Sequence, residues 1–200
     1  MNTKNFDILS KEKRNTILNA AFACFGKDGY RKTAMSEIAS VANVSKASLF
    51  HYFGTKKNLF LYLFRFSCNE ILAKSDCGTV DFFESVEISI RLKMSVIDEY
   101  PSMFDFLSSL VYETDTSILA ELHTTHGGVI NEWIARLTDD VDWNRFSPEI
   151  DKEEAFNLVT WISDGYAKTY MGKKNREMMV SELKKYLDLI KKATYKEEYL

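Results

Sequence analysis

Apolar residues recur every three or four positions along most of this chain, and no stretch reads as strand-rich. Ile17, Ala20, Ala21, Cys24 and Phe25 mark the buried stripe of a first helix from Lys11 to about Lys27, which Gly29 is expected to close as a left-handed cap. Ile38, Ala39 and Ala42 mark a second, with Thr33 as its N-cap and Glu37 in the first turn, where a carboxylate suits the helix dipole. Asn43 tolerates the left-handed dihedrals of a tight turn, Val44 plugs it, and Ser45 caps a short third helix, Lys46 to Phe53. Thr55 then starts a long helix to about Ser75, carrying Leu59, Phe60, Leu63, Phe64 and Ile71, with Asp76-Cys77-Gly78 at its end. A helix over about Val80–Glu99, a restart after Pro101 over Met103–Glu113, and a helix from Thr116 to about Leu137 bent at Gly127-Gly128 follow. An acidic loop, Thr138–Pro148, anchored by Trp143, leads to two last helices, about Asp151–Met171 and Lys174–Ala193. The pattern predicts an all-α fold of about nine helices: a three-helix head over residues 1–55 and a larger helical body over 56–200. Residues 1–10 are polar and read as a frayed end, with Lys4 as an extra basic contact.

Two short helices joined by so tight a turn read as a helix-turn-helix, whose second helix enters a major groove. Its start places Lys46, Ala47 and Ser48 against base edges, while Thr33, Ser45, Tyr52 and Lys56 are positioned to hold phosphates.

At fixed offsets over about thirty residues, Gly29-Tyr30, Thr33, Ile38-Ala39, Val44-Ser45, Leu49-Phe50, Tyr52-Phe53 and Lys56 before Leu59 follow one pattern, and there the chain closely resembles the TetR family of bacterial repressors. Two departures stand out. Asn43 replaces the usual Gly, and Phe50 replaces the usual Tyr, so Phe50 keeps its place on the DNA-binding surface without a phosphate bond from a hydroxyl. The resemblance implies a dimeric regulator of a double-stranded DNA operator, with a ligand-binding and dimerisation body whose last two helices pair across a two-fold axis as a four-helix bundle. It further implies heads about 34–36 Å apart, one helical turn, and release from the operator when a small-molecule effector favours another separation.

Charge agrees with this division. Residues 1–60 hold ten Lys or Arg against four Asp or Glu, while residues 61–200 hold 16 against 25. A basic head on an acidic body is what a DNA-binding lobe attached to something else should carry, although the whole chain is at −3. Three cysteines without a pairing motif read as reduced thiols of a cytoplasmic protein. No apolar run approaches the roughly 18 residues of a membrane span. His123 and His126 sit three apart near Glu121, but no cluster completes a metal site. Neither a Gly-rich phosphate loop nor a Gly-x-Ser-x-Gly elbow occurs, so no catalytic residue, metal or cofactor is expected. Two rivals remain at this point: an enzymatic body, and a helix-turn-helix that contacts protein.

The body offers two further sites. Spacing on the long helix turns Leu63, Phe64 and Ile71 inward, where Met94, Phe104, Leu107, Tyr112 and Trp133 would meet them, with Glu113 and His123 as the nearest polar groups. Such a wall suits a hydrophobic or amphipathic effector, and a filled core explains the same residues. The last two helices carry more apolar surface than one body needs, which makes Trp161, Ile162, Tyr166, Leu183, Leu187 and Ile190 candidates for a homodimer seam. A fully internal helix is the alternative.

Overall fold

The computed structural model describes residues 3–74, 78–170 and 176–200. Among them run ten α-helices: α1 (Lys4–Asp7), α2 (Lys11–Lys32), α3 (Met35–Val41), α4 (Lys46–Phe53), α5 (Lys56–Lys74), α6 (Phe82–Ile97), α7 (Met103–Ser109), α8 (Thr116–Thr138), α9 (Lys152–Tyr170) and α10 (Arg176–Thr194). Short 3-10 turns cover Leu110–Tyr112, Trp143–Arg145 and Glu197–Tyr199. The expected all-α class is what forms. The expected helix ends at Ser75 and Met171 and the start at Lys174, with Asp76 and Cys77, lie outside the described residues.

By packing, the chain divides into two units, Met1–Ala73 with Ser95–Ile130 and Lys74–Met94 with Asn131–Leu200. This line differs from a boundary at residue 55. In the first unit, α5 belongs to the same core as the head: the Phe60 ring lies 5.0 Å from Phe25, 5.2 Å from Tyr30 and 5.1 Å from Phe106. Helix α2 buries Ile17, Leu18, Ala20, Ala21, Phe22, Cys24 and Phe25, the predicted stripe with its neighbours. Gly26 faces α7 so closely that a Cβ there would stand 2.8 Å from the Phe106 amide nitrogen. Helix α2 also runs past the expected end to Lys32, with a kink at Gly29 (φ 70°, ψ 177°) rather than a left-handed cap.

Residues 4–7 are not a frayed end. They form α1, because Phe6 is fully buried, its ring 5.9, 4.8 and 5.5 Å from Tyr52, Phe53 and Tyr62. One aromatic side chain among polar residues is enough to dock a terminus when three rings wait for it. Gly127-Gly128 does not interrupt α8, which passes through both as one helix. The stretch after α7 tightens into the 3-10 turn Leu110–Tyr112 instead of continuing to Glu113 as α-helix.

The second unit has a core of Phe82, Phe83, Val86, Val141, Phe146, Ala155, Val159, Leu183, Leu187 and Tyr195. Trp143 anchors the acidic loop as expected, its ring 5.4 Å from both Phe82 and Phe146. Asp81 ties this unit's ends together. Its Oδ1 accepts the Phe83 and Glu84 amides at the start of α6 (3.0 and 3.1 Å), and its Oδ2 accepts from Lys191 (2.7 Å) and Arg145 (3.2 Å). Burial alone would raise the Asp81 pKa, but Lys191, the α6 amides and Arg145 outweigh it and hold the carboxyl below its usual range.

Candidate nucleic-acid interface

Helices α3 and α4 and their turn form as the sequence indicated. Asn43 takes positive φ (51°), which an Asn tolerates and a β-branched residue would not. The Val44 amide bonds to the Ala39 carbonyl at 3.0 Å and closes the turn. Ser45 caps α4, its Oγ accepting the Ser48 amide at 2.9 Å and lying 2.7 Å from the Ser48 hydroxyl. Gly54 (φ 74°) ends the helix, its amide donating to the Phe50 carbonyl at 2.8 Å. Leu49 and Phe53 face inward as their spacing required.

The opposite side of α4 is open. Lys46 and Ala47 are exposed, Ser48 is half-buried, and Phe50 is exposed with the Lys46 ammonium 5.8 Å from its ring centroid. The ring stands beside the ammonium, a cation–π contact that favours one orientation of a flexible lysine. One residue on this surface escaped the sequence reading. His51 is exposed, one turn beyond Ala47, and its Nε2 lies 3.0 Å from the Asn5 side-chain amide of α1. The turn-by-turn spacing from Ala47 was the signal that could have found it.

Three of the four expected phosphate holders are placed otherwise. Thr33 is buried and does not cap α3, where Ala34 holds the N-cap position with no side-chain bond. Its hydroxyl donates instead to the carbonyls of Gly29 (2.8 Å) and Cys24 (3.1 Å), pinning the kinked end of α2. Tyr52 is buried against Phe6. Lys56 turns back into the protein: its ammonium donates to the carbonyls of Tyr30 (2.8 Å), Thr33 (3.0 Å) and Arg31 (3.3 Å) and lies 4.5 Å from the Tyr30 ring centroid. A kinked helix end leaves carbonyls in need of donors, and the long lysine side chain reaches three of them. Ser45 remains exposed at the start of α4.

The expected effector wall divides between the two units. Leu63, Phe64 and Ile71 are buried and Phe104 and Leu107 half-buried in the first, whereas Met94 and Trp133 belong to the second. Tyr112 is exposed and forms no part of a buried wall. Glu113 is a loop carboxylate, accepting the amides of Asp115 (2.8 Å), Thr114 (2.9 Å) and Tyr30 (3.2 Å). The side chains of His123 and His126 lie outside the described residues.

The dimer candidates also separate. Leu183 and Leu187 belong to the core of their own unit, with Ile162, Tyr166 and Ile190 packed against it. Trp161 is 67% exposed, and among the described side chains of α10 the exposed large apolar residues are Met178, Tyr186 and Leu189. The inward face of α10 is therefore 179, 183, 187 and 190, and its outward apolar face lies one position away. A helix with apolar residues on two sides does not reveal by spacing which side its own chain covers.

Residues 17–63 match the family model described as bacterial regulatory proteins, tetR family. The chain is 27% identical over 157 residues to the HTH-type transcriptional regulator RutR of Escherichia coli K12, covering 78% of this chain and 74% of that protein. It is 24% identical over 159 residues to the HTH-type transcriptional repressor AcnR of Corynebacterium glutamicum, covering 76% and 79%. In fold, a TetR family regulator from Chloroflexus aurantiacus superposes with a TM-score of 0.67 at 16% identity, covering 98% of this chain and all of the other. The fatty acid degradation regulator FadR from Bacillus halodurans gives 0.66 at 17% identity over 88% and 97%. By sequence the match to the TetR family of bacterial regulatory proteins covers the helix-turn-helix residues, and over 98% of the chain the fold is similar to that of a TetR family regulator.

Proposed function

We propose that this protein is a sequence-specific transcriptional repressor that binds a pseudo-palindromic DNA operator as a homodimer and leaves it when a small hydrophobic or amphipathic effector binds. The observation that carries the reading is α4, an eight-residue helix capped by Ser45 that exposes Lys46, Ala47 and Phe50 from a basic head. Lys46, Ala47 and Ser48 read base edges, Phe50 and His51 complete that surface, and Ser45 with the first amides of α4 meets a phosphate. Functionally the head is residues 1–55 and the effector- and dimer-forming body residues 56–200. In the dimer, α9 and α10 meet their counterparts through Trp161, Met178, Tyr186 and Leu189. The protein acts in the cytoplasm, where its DNA lies; among the described residues no helix is long and apolar enough to cross a membrane.

The test is selection of bound fragments from genomic DNA, followed by affinity measurement on the winning sequence. Lys46→Ala should lose about 1–3 kcal/mol on that sequence and much less on random DNA. A protein that enriches no sequence, or whose Lys46→Ala variant binds the selected site unchanged, would remove this helix from the role.

A further inference from the structure

The second unit holds a group of side chains that neither the DNA-binding surface nor the exposed face of α9 and α10 uses. Ser89 and Lys93 stand one turn apart on α6 and so share a face of that helix. The Lys93 ammonium lies 4.1 Å from the ring centroid of Trp133 on α8. From α9, the Asp164 carboxyl is within electrostatic range of the same ammonium; burial pushes its pKa up and Lys93 draws it partly back. Three helices thus bring polar groups to one place inside a mostly apolar unit.

Two of these groups lack a partner. The Ser89 hydroxyl and the Trp133 indole nitrogen are both buried, and among the described residues neither has a hydrogen-bond partner. Ser89 as a residue is only 4% exposed. Buried polar groups are nearly always paired, because an unmet donor forfeits its bond to water without replacement. Asp164, which acts electrostatically on the Lys93 ammonium, is an acceptor; the other three groups are one-sided. An indole N–H and an ammonium only donate, and a hydroxyl donates readily, so together they complement an acceptor oxygen and not an amine.

We infer that Ser89, Lys93 and Trp133 form the polar end of a ligand site in the second unit, one that takes an apolar or aromatic molecule carrying an acceptor oxygen, as a carboxylate or a ketone. The inference rests on the reading of this chain as an effector-responsive regulator and narrows the effector by its head group.

Three matched panels of small straight-chain and aromatic compounds test it: carboxylates, ketones and amines, each titrated against melting temperature and tryptophan fluorescence. Members of the carboxylate or ketone panels should raise the melting temperature saturably. Ser89→Ala and Lys93→Met should each weaken that response by at least about tenfold, the effect of losing one hydrogen bond to a charged or buried partner. A second arm needs no ligand. Removing a donor that has no partner relieves the folded state, so Ser89→Ala alone should raise the melting temperature of the unliganded protein by about 2–4 °C.

The site is overturned if Ser89→Ala lowers the unliganded melting temperature, since the hydroxyl is then engaged by water or protein. It is equally overturned if amines bind and acceptor-headed compounds do not, if no carboxylate or ketone binds, or if binding survives both substitutions. Release of selected DNA is measured separately. A carboxylate or ketone that binds here without releasing DNA supports the site and removes the effector reading.

Discussion

Lys56 decides between two roles that make opposite predictions. A phosphate anchor would contribute to DNA affinity and nothing to stability, whereas the ammonium observed bonds to three carbonyls at 2.8, 3.0 and 3.3 Å where α2 gives way to α3. Hydrogen bonds from a charged donor are worth roughly 1.5–3 kcal/mol each. Three acceptors sharing one ammonium do not add, and Arg31 is exposed, so water can replace part of what is lost. The loss on Lys56→Ala should therefore be about 2–3 kcal/mol in all, including the contact with the Tyr30 ring. Because the three tryptophans Trp133, Trp143 and Trp161 all lie in the second unit, urea unfolding should be followed by far-ultraviolet circular dichroism, which also reports on the head. The companion measurement is DNA affinity against salt at a temperature where the variant is folded. Its salt slope should match that of the wild type, since no phosphate contact has been removed. Unchanged stability with a slope flatter by about one would refute the pinning role and return Lys56 to the phosphate backbone.

Three other outcomes follow from the same structure. Trp161→Glu and Leu189→Lys should give folded monomers by light scattering, while Leu187→Lys should give unfolded protein by circular dichroism; a dimeric Trp161→Glu variant would displace the seam from this face. Asp81→Asn should lower the melting temperature at pH 7, and its gap to wild type should close as pH falls below about 4. The Asp81 pKa is lower folded than unfolded, so the stabilisation is complete above the ordinary carboxylate value and disappears as pH drops through the folded one; a gap constant to pH 3 would contradict this. Phe6→Ala should cost about 3–5 kcal/mol of first-unit stability, against none for a frayed end, as read from urea unfolding.

Local rules were sufficient for much of this protein. Periodicity located the helices within a few residues, and the Asn43 turn, the Ser45 and Thr55 caps and the exposed start of α4 follow from chemistry acting over three to five positions. The side chains that sequence misplaced are those whose partners lie far along the chain. Lys56 reaches carbonyls 23 to 26 residues before it, Glu113 reaches the Tyr30 amide, and Phe6 finds rings in α4 and α5. Thr33 looked like an N-cap because its hydroxyl precedes a helix, yet the kink at Gly29 presents it with carbonyls instead. On α9 and α10, spacing correctly gave two apolar faces, but both are apolar for different reasons. Which one the chain covers itself depends on where α6 and the loop around Trp143 and Phe146 come to rest, and that is a property of the packed core rather than of any helix in it.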